Sequence, residues 1–143
     1  MSRIKIDLPP DFIFSTEIPV RITDLNYGNH VGNDAILSII HELRMQWLSS
    51  IGYSSELAIE GIGLIMVDAG VTFKNELFYG ETVIASLAIG DVSKIGFDLY
   101  YKLEKKVQSD VQLVATAKTG MLCFDYESRK IVPVPEDLRK KLV

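Results

Sequence analysis

A short polar segment near the start of the chain holds the residues whose types and spacing could support catalysis. It contains Asp24, then His30 six residues later, and then Asn33. A carboxylate can act as a general base toward water or attack an acyl carbon directly. An imidazole can orient a reacting group or exchange a proton near neutral pH. Since side chains so close in sequence can face one cavity, the segment is typical of a site for acyl-transfer chemistry.

The elements on either side would place these side chains at a strand-to-helix turn. Alternating apolar residues over 12–22 predict a first strand, and Pro19 within it favours an edge strand or a bulge. Apolar residues at steps of three and four over 34–51 predict a long, mostly buried helix. Asn33 or Asp34 is expected to cap its first turn, and Gly52 to end it. The free backbone N–H groups of that first turn could polarise a carbonyl oxygen.

After residue 62 the apolar pattern changes to a period of two. It predicts four strands, at residues 66–74, 82–89, 94–103 and 113–123, and residues 136–142 predict a short tail helix. No other long helix is available for parallel crossovers, so the sheet should be antiparallel and pack one face on the helix. The expected fold class is therefore α+β, with a curved antiparallel sheet of about five strands wrapped around one long central helix.

Length and composition limit the possible partners and locations. At 143 residues the chain is expected to form a single domain, residues 1–143. Its net charge of −4 offers no basic field for nucleic acid or an anionic membrane, so the partners should be small molecules or protein. No signal peptide or membrane span is evident, which favours a cytoplasmic location. Cys123 is the only cysteine, which excludes an internal disulfide and indicates a core position.

Structural explanations compete with the catalytic one for each of these residues. Asp24 could simply form an Asx-turn, and Asn33 could be present because it suits a turn. The second histidine, His41, lies in the predicted helix without metal-ligand spacing to His30, so no metal site is expected. Glu42 is by default solvated or ion-paired. A carboxylate on an apolar helix is nevertheless costly to bury, so Glu42 is also a candidate site residue.

The run of residues 24–33, Asp-Leu-Asn-Tyr-Gly-Asn-His-Val-Gly-Asn, is followed by a helix that carries Glu42 and Arg44. This arrangement resembles the acyl-CoA thioesterases of the hotdog fold, in particular the 4-hydroxybenzoyl-CoA thioesterase-like group and the plant acyl-ACP thioesterases. The resemblance implies a homodimer, or a homotetramer built as a dimer of dimers, with the site at the subunit interface. It also implies that the thioester carbonyl lies near the helix N-terminus and that an acidic residue acts as base or nucleophile.

The resemblance also assigns roles to individual residues. Asp24 occupies the position of the catalytic acid, while His30 and Asn33 match the family's histidine and final asparagine. Glu42 falls where some branches place their carboxylate.

The motif departs from its usual form at three positions. Asn29 replaces a glycine, Gly32 replaces the first of two paired asparagines, and Ile36 stands where a tyrosine is common. The first departure resembles the plant-type variant, in which a larger polar residue precedes the histidine. The other two indicate a site with a different substrate shape or a lower activity.

The function predicted from the sequence is hydrolysis of an acyl-CoA or acyl-ACP thioester, with no cofactor other than the coenzyme A carried by the substrate. One alternative is a hotdog enoyl-thioester hydratase or dehydratase. In those enzymes the histidine follows the aspartate by five residues with a proline between them, whereas here the spacing is six and proline is absent. The other alternative is a non-catalytic protein that binds acyl thioesters. Loss of thioester with release of thiol would distinguish hydrolysis from both.

Overall fold

An antiparallel sheet and one long helix make up most of the chain. The computed structural model describes residues 1–143. The strands are β1 (Phe14–Pro19), β2 (Gly63–Phe73), β3 (Thr82–Val92), β4 (Gly96–Val107), β5 (Asp110–Asp125) and β6 (Lys130–Ile131), and the helices are α1 (Asn33–Ser50) and α2 (Glu136–Leu142). The predicted α+β architecture is confirmed, with five long strands and a two-residue sixth. The tail helix is also where the sequence predicts it.

The strand order determines which strands have an unpaired edge. It runs β1-β3-β4-β5-β2, with β6 beside the end of β5, and every pair is antiparallel. The edge strands are therefore β1 and β2. Pro19, which lacks a backbone N–H, is the last residue of β1, and its predicted position on an edge strand is confirmed.

Helix α1 supplies the centre of the hydrophobic core. Its buried residues recur at steps of three and four and are Ala35, Ile36, Ile39, Ile40, Leu43, Arg44, Trp47 and Leu48. Trp47 is only 1% exposed and meets the ring of Phe97 edge-on, with 6.5 Å between the ring centroids. Fully burying a large apolar side chain contributes about 1.5–3 kcal/mol, so this face holds the helix on the sheet. Neither helix is long and apolar enough to cross a membrane.

The N-terminus and the C-terminus of α1 differ in how they are capped. Gly52 has a φ of +99°, the left-handed conformation in which glycine commonly ends helices, so its predicted role is confirmed. The prediction that Asn33 or Asp34 caps the N-terminus is wrong, because the capping position is Gly32 and no side chain bonds there. Asn33 and Asp34 already lie inside the first turn. That turn consequently keeps N–H groups that no capping side chain satisfies.

The first strand is shorter than the alternating pattern predicts. It ends at Pro19, and Ile22–Asp24 form a short 3₁₀ turn instead of continuing the strand to residue 22. In this turn the Asp24 N–H donates to the Arg21 carbonyl oxygen at 3.0 Å, and the Arg21 N–H donates to Asp24 Oδ2 at 2.8 Å. A carboxylate that accepts a nearby backbone N–H offers the chain a local alternative to the sheet, which explains the early end.

The burial of Cys123 predicts a thiol that does not react in the folded protein. The residue lies in β5 with no exposed surface, and burial raises the pKa of its thiol to about 11. Because the thiolate is the reactive form, Ellman's reagent should modify no thiol in the native protein and one thiol per chain in denaturant. Stoichiometric modification of the native protein within minutes would contradict the buried position.

Candidate active site

The predicted catalytic segment folds as a small closed loop between β1 and α1. Leu25 and Val31 form an isolated antiparallel bridge, and the Asn26 N–H donates to the His30 carbonyl oxygen at 2.9 Å. Within the loop, Asn26 Oδ1 accepts the N–H of Gly28 at 2.8 Å. The Asx-turn considered for Asp24 is thus made by Asn26, and the loop is held by its own polar side chains.

Asn29 occupies a backbone conformation that explains its presence in place of a glycine. Its φ is +65°, in the left-handed region that most residues avoid. Asparagine enters this region more readily than other non-glycine residues, because its short polar side chain can bond locally. The change at this position therefore preserves the shape of the loop.

Asp24 is buried at the base of the loop, and both of its carboxylate oxygens have partners. It is 4% exposed, and Arg21 donates its backbone N–H to Oδ2 at 2.8 Å and its Nη2 to Oδ1 at 3.0 Å. The hydrogen bond to Asp24 raises the pKa of Arg21 above its usual value. The carbonyl oxygen of Asp24 also accepts the Gly32 N–H at 3.0 Å. These contacts fix both ends of the loop, and the catalytic role of Asp24 stays a prediction.

His30 and Asn33 line one cavity beside the N-terminus of α1. The cavity has a volume of about 280 Å³, and its lining residues are His30, Val31, Asn33, Ile36, Phe73, Lys74, Asn75, Glu76, Leu77 and Val114. His30 Nδ1 lies 3.2 Å from the Val31 carbonyl oxygen. Since a carbonyl oxygen only accepts, this bond requires the proton on Nδ1 and leaves Nε2 as an acceptor in the neutral ring. Two of the predicted site residues are thus brought together, whereas Asp24 and Glu42 do not line this cavity.

The opposite wall comes from residues 73–77, which sequence reasoning did not identify. The Val31 N–H donates to the Leu77 carbonyl oxygen at 2.8 Å, which ties this segment to the loop. Asn75 is fixed by its Nδ2, which donates to the Leu113 carbonyl oxygen at 2.6 Å. Nothing in the sequence pattern linked the end of β2 to the polar loop, because the contact depends on how the sheet curves around α1.

The start of α1 presents unused hydrogen-bond donors at the same place. The backbone N–H groups of Asn33 and Asp34 donate to no backbone oxygen, and no side chain caps them. A helix N-terminus carries a partial positive charge, so these groups favour a ligand oxygen that carries or develops negative charge. Their position next to the cavity fits the polarisation of a carbonyl group.

Glu42 lies on the solvent side of α1, away from this cavity. It is exposed, and its Oε2 accepts the Nε2 of Gln46 at 2.7 Å. The buried charge on the helix is Arg44, which donates to Glu56 Oε2 at 2.8 Å and to the Tyr101 hydroxyl at 3.3 Å. Glu42 is thus not buried within the chain, so the cost of burial gives no reason to place it in the site, and its site role stays a prediction.

The chain contains no cluster of three His, Cys, Asp or Glu side chains close enough to hold a metal ion.

Comparison with known proteins identifies a family for the chain. The family model described as the thioesterase-like superfamily matches residues 20–142. A 1,4-dihydroxy-2-naphthoyl-CoA hydrolase from Microcystis aeruginosa is 28% identical over 106 residues, which cover 73% of this chain and 74% of the relative.

Solved structures agree with this match. A 1,4-dihydroxy-2-naphthoyl-CoA thioesterase from Synechocystis superposes with a TM-score of 0.80 at 25% identity, covering 90% of this chain and 94% of the other. A 4-hydroxybenzoyl-CoA thioesterase variant with bound 4-hydroxybenzoyl-CoA gives a TM-score of 0.82 at 16% identity, covering 91% and 98%. These superpositions confirm the predicted hotdog fold.

Proposed function

Because the chain belongs to the thioesterase-like superfamily and is a thioester hydrolase, we propose that it hydrolyses CoA thioesters of compact aromatic acids. The reaction would take place at the cavity beside the N-terminus of α1. The observation that carries this proposal is the pair of unbonded N–H groups of Asn33 and Asp34, next to a cavity that His30 also lines. Donors fixed where negative charge develops are often the largest single contribution to catalysis.

The proposed mechanism follows from what each group can bind. The thioester oxygen accepts the Asn33 N–H, which stabilises the negative charge that appears when water adds to the carbonyl carbon. A carboxylate takes the proton from that water, and the family resemblance assigns this role to Asp24. When the tetrahedral intermediate collapses, the C–S bond breaks and coenzyme A leaves as a thiol that recovers the proton. His30 Nε2 is the acceptor that can orient the water or a hydroxyl group on the acyl ring.

The proposed substrate class rests on the cavity and on the two relatives. The apolar part of the lining comprises Val31, Ile36, Phe73, Leu77 and Val114. A volume of about 280 Å³ is just below the ~300–1,000 Å³ of typical ligand sites, which suits a ring better than a long acyl chain. The relatives from Microcystis and Synechocystis both carry names that specify a dihydroxynaphthoyl thioester.

We also propose that the working form is a homodimer joined through β2. One edge of this eleven-residue strand pairs with β5, and the other has no partner in the chain. Met66 and Val67 on β2 are 48% and 55% exposed, and Leu37 on α1 is 42% exposed. An open apolar edge pairs readily with another strand, and a second copy would supply an identical one. Glu42 would reach the site only from such a second copy, and a tetramer stays a prediction.

A panel of thioesters tests the proposed function. Thiol release by the wild-type protein should be faster for 1,4-dihydroxy-2-naphthoyl-CoA and benzoyl-CoA than for palmitoyl-CoA, by about 10- to 200-fold in kcat/KM. Including an acyl-ACP substrate checks whether CoA is the preferred carrier. Loss of enoyl absorbance without free thiol would indicate a hydratase, and binding without thiol release would indicate a non-catalytic acyl-thioester binder. Either result would contradict the proposal.

A further inference from the structure

Lys105 is a lysine at a buried position of β4. Buried residues alternate with half-buried ones along this strand, and the buried face carries Phe97, Leu99, Tyr101, Leu103 and Lys105. The first four belong to the hydrophobic core, whereas Lys105 carries a charge and is only 6% exposed. A buried ammonium group is costly unless it has partners, so the contacts of Lys105 decide whether this position is tolerable.

The partners of Lys105 all belong to the wall of the cavity and to the turn that follows it. Its Nζ donates to the Glu76 carbonyl oxygen at 2.7 Å and to Glu81 Oε1 at 3.1 Å. The same Nζ lies 5.3 Å from the centre of the Phe78 ring. Glu81, the carboxylate that neutralises it, also accepts the Phe78 N–H at 2.7 Å. Lys105 thus connects β4 to the wall and to the turn after it.

The carbonyl group of Glu76 is the point at which the lysine holds the wall. Glu76 lines the cavity, and no backbone N–H donates to its carbonyl oxygen. Its two neighbours have backbone anchors of their own. The Asn75 N–H donates to the Val114 carbonyl oxygen at 3.2 Å, and the Leu77 carbonyl oxygen accepts an N–H of the polar loop at 2.8 Å. Between these anchors the wall is held by a charge-assisted bond from Lys105, which is stronger than a neutral one.

We propose that Lys105 is a positioning residue that holds the wall at Glu76 and thereby determines which acyl groups the cavity accepts. This inference rests on the proposed function, because it concerns the acyl end of the same site. Residues 73–77 form one side of the cavity, so their position sets its width. Lys105 does not line the cavity, and it acts through the wall without touching the substrate. A wall held in place keeps the cavity narrow, which suits a flat ring.

Lys105→Met tests this role, because methionine keeps an unbranched side chain and removes the ammonium group. The wall should then move outward and lose contact with the ring. The KM for benzoyl-CoA should rise about tenfold, the size of a small misfit in an apolar pocket, while kcat stays close to wild type. The preference for benzoyl-CoA over palmitoyl-CoA in kcat/KM should fall by about the same factor.

The matched control is Lys118→Met on β5. Lys118 is also partly buried and forms ion pairs with Asp68 at 2.8 Å and with Asp98 at 3.3 Å, but none of the three lines the cavity. Both variants lose ion pairs, so Tm should fall in both, yet only Lys105→Met should change the substrate preference. Amide hydrogen exchange of residues 74–78 should also become faster only in Lys105→Met. Equal preference and equal exchange in the two variants would contradict the positioning role.

Two further variants separate the contact with the carbonyl group from the ion pair. Glu81→Gln keeps an oxygen for the Phe78 N–H and leaves the bond between Lys105 and the Glu76 carbonyl group, so the preference should stay close to wild type. The double variant Lys105→Met with Glu81→Gln replaces both partners of the ion pair and should fold even if the single lysine variant does not. It should lose as much preference as Lys105→Met. A full loss in Glu81→Gln alone, or an unchanged preference in the double variant, would overturn the inference.

A binding measurement separates this inference from the function on which it rests. The probe is a thioether analogue of benzoyl-CoA, in which a methylene group between the sulfur and the carbonyl carbon prevents hydrolysis. Calorimetry should give a Kd about tenfold higher for Lys105→Met than for wild type or Lys118→Met.

The combined outcomes distinguish the two claims. Thiol release by wild type with an unchanged preference in Lys105→Met would refute the inference and leave the hydrolase function standing. Binding of the analogue with the expected difference between variants, but without thiol release from any CoA thioester, would refute the function and support the positioning role. If the wild-type protein neither binds the analogue nor releases thiol, both are wrong.

Discussion

Replacing Asn33 by proline is expected to lower kcat for thioester hydrolysis by about 10²- to 10³-fold, the usual effect of removing one oxyanion donor. The change deletes the backbone N–H that we place on the thioester oxygen. It should leave the helix intact, because Asn33 is the first residue of α1 and its N–H bonds to nothing in the chain. Proline is favoured at this helical position, and the extended backbone of Gly32 is the conformation that a following proline requires.

The matched control for this variant is Asn33→Ala, which removes the side chain but keeps the N–H. Its kcat should stay within about tenfold of wild type if the backbone donor is the important group. Steady-state kinetics and circular dichroism on both variants measure the two effects separately. Equal loss of kcat in Asn33→Ala and Asn33→Pro would show that the side chain matters and would contradict the assigned oxyanion donor.

The fold was predictable because its elements carry strong periodic patterns. The three- and four-residue steps from Ile36 to Trp47 arise from a helix that buries one face on a sheet, and that relation is local in sequence. The boundary errors occur where a side chain competes with the backbone pattern. Asp24 accepts the Arg21 N–H and ends the first strand early, which alternation alone could not reveal.

The site was less predictable than the fold because its geometry depends on contacts between distant segments. His30 and Asn33 were identified from their chemistry, and the structure places both on one cavity. The wall at residues 73–77 consists of the last residue of β2 and the four residues after it, about forty positions beyond the loop. Glu42 and Arg44 are two positions apart on one helix, yet Arg44 is buried against Tyr101 while Glu42 faces solvent. Composition cannot show which of two neighbouring charges the sheet covers.

The structure changes the interpretation of Gly32. In the sequence, Gly32 replaces an asparagine that is usual in the motif, and this departure suggests a site with lower activity. In the structure the missing side chain leaves a space that the Asp34 carboxylate fills, 2.5 Å from where a Cβ would lie. The departure from the usual motif is thus coupled to a second residue two positions later, and the pair has to be interpreted together.

Placing glutamates at both Met66 and Val67 is expected to convert the proposed dimer into a monomer. Both side chains are about half exposed on the unpaired edge of β2. In an antiparallel contact between two copies, four added carboxylates would lie along the proposed interface, and burying charges without partners is costly. Light scattering coupled to size-exclusion chromatography measures the change in mass.

The same variant should lose at least about 10²-fold in kcat/KM, because a site completed by two chains is misaligned when they separate, and small displacements of a reacting group cost that much. The matched control is Val107→Glu with Val111→Glu, which adds the same charge at exposed positions of the β4–β5 hairpin. The control should remain dimeric and active. If the β2 variant is monomeric but as active as the control, the site is complete within one chain and does not depend on the proposed dimer.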